Sequence, residues 1–191
     1  YEVGDELILE GYFQEHPWPA NYIDAPPGLE RMMAFLDFSL LKPRLHRWKF
    51  NLKTGVTTEE DIHDVIIEFG VINQHIAGTK HRYTYSMIPT KGHFTFDGIT
   101  KHDHESQSFN KYIFEDHIFI SEVSFAPRKG SQDEDDGYLV TISNDVKEKT
   151  SSCLLFDAKN IEHGPICEIP LPHQICTGTH ATWAQKSDLI K

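Results

Sequence analysis

The chain has 191 residues, which is enough for one domain or for part of a larger one. Hydrophobic residues make up 39% of it and charged residues 25%, and this balance indicates a folded protein rather than a disordered one. The formal net charge of -11 would repel a phosphate backbone, so the sequence predicts no binding to nucleic acid.

The opening residues and the cysteines bear on where the protein works. No stretch of the sequence approaches the roughly 18 apolar residues of a membrane-spanning helix. The chain opens at Tyr1 with neither a Met nor the basic segment of a secretory signal, and we expect a fragment or a processed product. Its three cysteines, Cys153, Cys167 and Cys176, lack metal-type spacing and suit a reducing compartment. We therefore expect a cytoplasmic protein.

Most of the chain is predicted to form short strands separated by turns. The predicted strands cover residues 6–10, 45–52, 65–69, 82–88, 93–96, 111–114, 117–124, 138–143, 153–156 and 166–169. Residues 13–28 are predicted to form a loop, because the prolines there exclude a continuous helix. Helices are predicted only at residues 29–35 and 58–63. The expected fold class is all-β.

A repeat is visible in the polar turns that follow three of the strand patterns. Asn51, Asp103 and Asp157 stand 52 and 54 positions apart, and each precedes residues that favour a turn. A period near 50 residues with about four strands per unit is typical of β-propeller blades. This chain would hold about three to four blades, so we expect it to be part of a larger propeller.

Twelve histidines are many for this length, and two of them form a His-x-His pair. His102 and His104 lie in the charged stretch 101–105, where we expect exposed polar side chains. A metal site needs several such residues to converge in space, and the sequence contains no His-Glu-x-x-His or comparable signature.

Three short segments carry the candidate chemistry. The first is an apolar strand pattern that contains Glu68, the second contains Glu122, and the third, near the end of the sequence, contains His180. Taken one at a time, each carboxylate is explained better by a strand end that faces water, and His180 is explained better by a hydrogen-bonded core histidine. The order and spacing of the three segments change this balance, because together they match the pattern of a known family.

Together these segments resemble the carotenoid cleavage oxygenases, a family that includes lignostilbene and resveratrol dioxygenases and the retinoid isomerohydrolase. The resemblance covers nearly the whole chain, most firmly residues 45–183. The motifs that carry it are Glu68-Phe69, then Glu122-x-x-Phe125-x-Pro127-Arg128 ahead of Glu134-Asp135-Asp136-Gly137-Tyr138, and finally Leu171-Pro172 with Gly178-x-His180-x-x-Trp183. The chain departs from the family at Gly70, Ser121 and Ala181, where Pro, Gly and Gly are common.

The resemblance implies a seven-bladed β-propeller, of which residues 1–191 are the C-terminal part of a single domain. It also implies Fe(II) on the propeller axis, bound by four histidines. His180 matches the last of these iron ligands, while Glu68 and Glu122 match glutamates that hydrogen-bond to the ligands. The other three ligands would lie upstream of Tyr1, in the missing N-terminal part. No further residue is assigned to catalysis or to the cofactor.

The implied activity is that of a dioxygenase, which uses O2 to cleave a C=C double bond into two carbonyl products. The substrate would be an apolar conjugated molecule, namely a carotenoid, an apocarotenoid or a stilbenoid, and peripheral contact with a membrane is a further expectation. Phe13, Trp18, Tyr22 and residues 32–35 are candidates to line a substrate tunnel, although ordinary packing explains any single one of them better.

Two other activities stay open. The chain could belong to a non-catalytic β-propeller interaction module in which His180, Glu68 and Glu122 are structural, or to an isomerohydrolase of the same family. The dioxygenase is favoured because a generic propeller has no reason to place the two glutamates and Gly-x-His in this order. One histidine cannot hold catalytic iron, so we expect the isolated chain to be inactive.

Overall fold

A computed structural model describes residues 1–20, 22–178 and 180–189 of the chain. The described residues form mainly antiparallel strands, with three short α-helices, α1 Leu29–Phe35, α2 Phe38–Leu41 and α3 Lys186–Leu189, and 3-10 turns at Gln74–Ile76 and Ile161–His163. The strands are β1 Glu2–Val3, β2 Glu6–Phe13, β3 Arg44–Asn51, β4 Thr57–Asp61, β5 Glu68–Val71, β6 Tyr83–Pro89, β7 Phe96–Asp103, β8 Phe109–Ile113, β9 Ile118–Ile120, β10 Ser124–Pro127, β11 Gly137–Asp145, β12 Thr150–Asp157 and β13 Pro165–Pro170. None of the described helices is long and apolar enough to cross a membrane.

The strands are organised as three successive four-stranded antiparallel units. Unit one is a separate sheet in which β1, β2, β3 and β4 pair in chain order. Unit two pairs β5, β6, β7 and β8 in the same way, and unit three pairs β10, β11, β12 and β13. The short strand β9 pairs with both β7 and β11 and so joins units two and three into one sheet. The predicted all-β class is confirmed.

The repeat predicted from the sequence has a structural basis, because each of its three polar residues ends the third strand of a unit. In each case the side-chain oxygen accepts a hydrogen bond from a backbone N–H two residues later, at 2.9 to 3.1 Å, which fixes the turn. The three residues are Asn51 at the end of β3, Asp103 at the end of β7 and Asp157 at the end of β12. The turn chemistry therefore marks the same position in every unit.

The main core lies in units two and three, where apolar side chains point inward from alternate positions of the central strands. Met87, Ile99, Leu139 and Phe156 are fully buried there. The core positions Glu122, because its neighbours Ser121 and Val123 are both buried and leave the side chain of Glu122 to point the other way.

Three details of the predicted elements are wrong. Residues 58–63 were expected to be helical, but β4 forms an edge strand of unit one in which every side chain is exposed, so no apolar alternation reveals it. The strand predicted at residues 93–96 begins at Phe96 and continues to Asp103. Residues 117–124 form the separate strands β9 and the start of β10 rather than one strand.

The expectation that His102 and His104 are exposed is also wrong. His102 lies near the end of β7 and is paired on both sides, and His104 follows in the turn; both belong to a row of buried or half-buried imidazoles. Successive ring centres are 5.2 Å apart from His63 to His102, 4.5 Å from His102 to His104 and 5.2 Å from His104 to His81. His102 is only 3% exposed, and neither of its ring nitrogens has a hydrogen-bond partner among the described residues.

One end of this row is tied to unit one by a buried ion pair. Arg47 of β3 donates through Nε to Oε1 of Glu10 on β2 at 2.7 Å and through Nη2 to Nδ1 of His104 at 3.0 Å. The guanidinium can only donate, so Nδ1 of neutral His104 is an acceptor and its Nε2 carries the hydrogen. That Nε2 lies 2.8 Å from the hydroxyl of Thr84. The network thus joins units one and two through polar contacts that fix the tautomer of His104.

Burial in this row should make the stability of the protein depend on pH. Burial, and next to it the neighbouring His63, lowers the pKa of His102 to about 4. A histidine in the unfolded chain binds its proton near pH 6.5, whereas folded His102 stays neutral down to about pH 4. The free energy of unfolding is therefore at its full value above pH 6.5 and decreases as the pH falls from 6.5 towards 4. At pH 5 this one group should cost about 2 kcal/mol of unfolding free energy.

We therefore expect His102→Phe to lose about 2 kcal/mol less stability between pH 7.5 and pH 5 than the unsubstituted protein. Phenylalanine keeps the ring and leaves no unpaired nitrogen in the row. Chemical denaturation at the two pH values measures the difference, with the exposed His173→Phe as the control. An unchanged pH dependence in His102→Phe would show that the buried imidazole does not take up the proton.

Candidate metal centre

Glu122 lies in the short link between β9 and β10, and the sheet holds this link firmly. The N–H of Ser121 donates to the carbonyl oxygen of Ile142 at 2.8 Å, and the hydroxyl of Thr141 donates to the carbonyl oxygen of Ser121 at 2.8 Å. Both partners belong to β11, the second strand of unit three. Since the N–H and the carbonyl oxygen of Ser121 are both bonded to β11, the carboxylate of the next residue, Glu122, projects from a rigid support.

His180 is carried by the segment that follows β13, and it meets Glu122 across 58 residues of sequence. Its Nδ1 lies 2.9 Å from Oε1 of Glu122, while the backbone N–H of Ala181 donates to Oε2 at 2.7 Å. Both carboxylate oxygens are therefore engaged by the same short segment. The glutamate side chain is 12% exposed and the histidine side chain is 79% exposed. The structure brings these two predicted site residues together.

This contact decides which nitrogen of His180 is available. An ionised carboxylate only accepts, so Nδ1 carries the hydrogen and Nε2 of the neutral ring keeps its lone pair. Nε2 has no hydrogen-bond partner among the residues that the structure describes. A neutral imidazole that donates one N–H to a carboxylate and offers its other nitrogen is the usual arrangement of a metal-binding histidine.

Glu68 begins β5, and its carboxylate faces a different donor. Oε2 accepts the N–H of Phe69 at 2.8 Å, and burial raises the pKa of Glu68 above its ordinary value against the effect of this hydrogen bond. Phe69 has a φ of 53°, a conformation that non-glycine residues rarely adopt. Its ring centre lies 6.2 Å from that of His180, so the start of β5 and the terminal segment meet. No described histidine bonds to Glu68, and its role towards a ligand stays a prediction.

The residues present could supply one ligand of an iron site rather than a complete set. His180 supplies a single open nitrogen with its tautomer fixed by Glu122, and imidazole is a suitable ligand for iron. A cavity of about 260 Å³ lies against the imidazole; Val140, Ile142, Ile175 and Trp183 contribute apolar walls. Sequence analysis missed the second donor to Glu122, the N–H of Ala181, because a backbone group leaves no sequence signal.

A second group of metal-ligating side chains occurs in the described residues, but its hydrogen bonds do not suit a cation. Ligand atoms of Glu10, His81 and His104 lie within 4.8 Å of one another. The guanidinium of Arg47 already balances the charge of Glu10. Because Nε2 of His104 carries the hydrogen, that nitrogen has no lone pair for a metal. This cluster is an ion-pair network between units one and two.

The candidate tunnel residues separate into two groups. Trp18, Tyr22 and Phe35 form one cluster, with ring centres 6.4 Å apart between the first two and 5.6 Å between the last two. Met32 lies beside it and is half exposed. Phe13 ends β2 and packs on His46 and Trp48 of β3 instead.

Comparisons with known proteins agree with this architecture. A family model described as retinal pigment epithelial membrane protein matches residues 1–185. A carotenoid cleavage oxygenase of Mycobacterium tuberculosis is 30% identical over 149 residues, which cover 75% of this chain and 29% of that protein. A carotenoid 9,10(9',10')-cleavage dioxygenase of Crocus sativus is 27% identical over 205 aligned positions, which cover 99% of this chain and 36% of that protein.

The fold is that of a solved apocarotenoid oxygenase from Synechocystis, with a TM-score of 0.83 at 24% identity over 97% of this chain and 38% of that one. The three units are thus blades of a β-propeller. The chain belongs to the carotenoid cleavage oxygenase family. It spans 29% to 38% of the length of these relatives.

The Glu122–His180 contact predicts a tautomer that can be measured. Long-range ¹H–¹⁵N NMR above the titration range of the imidazole should show His180 protonated at Nδ1 and not at Nε2. In Glu122→Ala the Nδ1–H form should lose its preference, because the carboxylate that accepts this hydrogen is removed.

His173, exposed on the same segment, serves as the internal control and should keep its tautomer in Glu122→Ala. A His180 spectrum that is the same with and without the Glu122 carboxylate would contradict the contact.

Proposed function

We propose that the complete protein to which this chain belongs is an Fe(II)-dependent dioxygenase that cleaves a C=C double bond of a carotenoid, apocarotenoid or stilbenoid into two carbonyl products. The single observation that carries the proposal is the Glu122–His180 pair, which holds one imidazole with its Nε2 open. The names of the relatives support the reaction class. They include a lignostilbene-α,β-dioxygenase isozyme of Sphingomonas paucimobilis and an isoeugenol monooxygenase of Pseudomonas putida.

The residues of this chain would act by binding and orienting. His180 would bind the iron through Nε2, together with three histidines from the N-terminal part. Glu122 would keep the hydrogen on Nδ1 and make the ring a better donor. When bound, ferrous iron would supply the activation of O2 that places one oxygen atom on each carbon of the cleaved bond.

Apolar side chains near the site support a conjugated substrate. Phe69 packs against both His180 and Phe96, with ring centres 6.2 Å and 5.3 Å apart. Aromatic faces suit a planar polyene or a stilbene. Exposed Ile23, Leu29 and Met32 support a further part of the proposal, peripheral contact with a membrane from which such a substrate is drawn.

The decisive experiment measures iron content and oxygen-dependent cleavage for this chain alone and for the chain joined to its N-terminal part. The joined protein should bind about one iron per chain and cleave, while the chain alone should do neither, since a single histidine cannot hold the metal. Analysis of the products separates a dioxygenase from an isomerohydrolase.

Variants of the joined protein locate the site. We expect His180→Ala to abolish cleavage and Glu122→Ala to lower iron affinity about 10- to 100-fold. His173→Ala, on the same segment, is the matched control and should behave as the unsubstituted protein. Full iron binding and cleavage in His180→Ala would contradict the role of His180 as a ligand. A joined protein without iron would favour a non-catalytic propeller module instead.

A further inference from the structure

The segment that carries His180 is held by side chains rather than by secondary structure. In the described part of residues 171–185 there is no helix or strand, so its backbone N–H groups need other acceptors. Three of them, at every third residue, bond to side-chain oxygens of unit three and the β9–β10 link. These are Ile175 to Oγ of Ser151 at 3.0 Å, Gly178 to Oγ of Ser121 at 2.9 Å and Ala181 to Oε2 of Glu122 at 2.7 Å.

Two of these acceptors are neighbours in sequence, and the N–H groups that they bind stand before and after His180. Ser121 holds the segment two residues before the histidine, and Glu122 holds it one residue after. A segment fixed at one point can still turn about that point, whereas fixed points at both Gly178 and Ala181 restrict where His180 can lie. The hydroxyl of Ser121 therefore adds a second fixed point, which the carboxylate of Glu122 alone cannot supply.

The hydroxyl of Ser121 is a rigid anchor. Ser121 is 6% exposed, and both its N–H and its carbonyl oxygen are bonded to β11, as described above. Its Oγ is consequently fixed relative to the sheet. A residue without a side-chain oxygen at this position would offer no acceptor to the N–H of Gly178.

We infer that Ser121 is a positioning residue for His180: its hydroxyl fixes the Gly178 end of the terminal segment, and so sets where the imidazole presents Nε2. The link to iron rests on the proposed function, whereas the anchoring of the segment does not. Loss of one neutral hydrogen bond corresponds to a change of about three- to tenfold in the equilibrium it biases.

The first arm of the test needs no metal. Hydrogen exchange in the metal-free protein joined to its N-terminal part reports opening of the terminal segment. In Ser121→Ala the amides of Gly178 and Ala181 should exchange about three- to tenfold faster, with strands far from the site unchanged. Ser121→Thr keeps the hydroxyl and should restore slow exchange, since the adjoining cavity of about 260 Å³ has room for a methyl group.

Ser124→Ala is the matched control. Ser124 is also buried, three residues further on, but its hydroxyl has no hydrogen-bond partner within the described ranges. This variant removes the same atom from the same neighbourhood and should leave the exchange of the terminal segment unchanged.

The second arm measures Fe(II) affinity under anaerobic conditions by competition with a chelator. Ser121→Ala should weaken binding about three- to tenfold, and Ser121→Thr and Ser124→Ala should not. Equal exchange in Ser121→Ala and Ser124→Ala, or faster exchange throughout the protein, would overturn the positioning role. Local exchange that responds while iron affinity does not would overturn the link to the metal. An unsubstituted protein that binds no iron would overturn the proposed function itself and leave the exchange result to decide on Ser121.

Discussion

The candidate site depends on one contact, in which the largely buried carboxylate of Glu122 bonds both to a histidine ring and to the backbone of the next residue. Glu122 receives Nδ1 of His180 and the N–H of Ala181 on its two oxygens. The contact is possible because β11 fixes the link that carries Glu122, so that the terminal segment has a rigid partner. A carboxylate that only accepts then determines the tautomer of the ring, and the tautomer determines which nitrogen faces outward. The sheet thus fixes the link, and the link fixes the imidazole.

The exposure of His180 follows from the same architecture. Glu122 holds only the Nδ1 edge of the ring, and the side chain of His180 is 79% exposed. Its ring therefore touches Phe69 and Glu122 on the described side and is otherwise open. Glu68, at the start of β5 beside the same aromatic ring, has a carboxylate whose one hydrogen-bond donor among the described residues is the N–H of Phe69.

The sequence predicts the strands best where their burial alternates, and it predicts the repeat from turn chemistry that recurs at Asn51, Asp103 and Asp157. It fails for β4, because every side chain of that edge strand is exposed and pairing with β3 alone makes it a strand. Glu122 and His180 could be identified from the order of the motifs. The imidazole row could not, since Glu10, Arg47, His81 and His104 converge from separate strands and links, and such convergence leaves no local pattern.

We propose that His180, fixed by Glu122, is one of four imidazole ligands of iron in the complete protein. X-ray absorption spectroscopy of the iron-loaded protein counts these ligands directly, and a His180→Ala sample loaded with the same metal provides the comparison. We expect four imidazole nitrogens in the unsubstituted protein and three in the variant. Identical spectra for the two proteins would contradict it, because the iron would then be bound without His180.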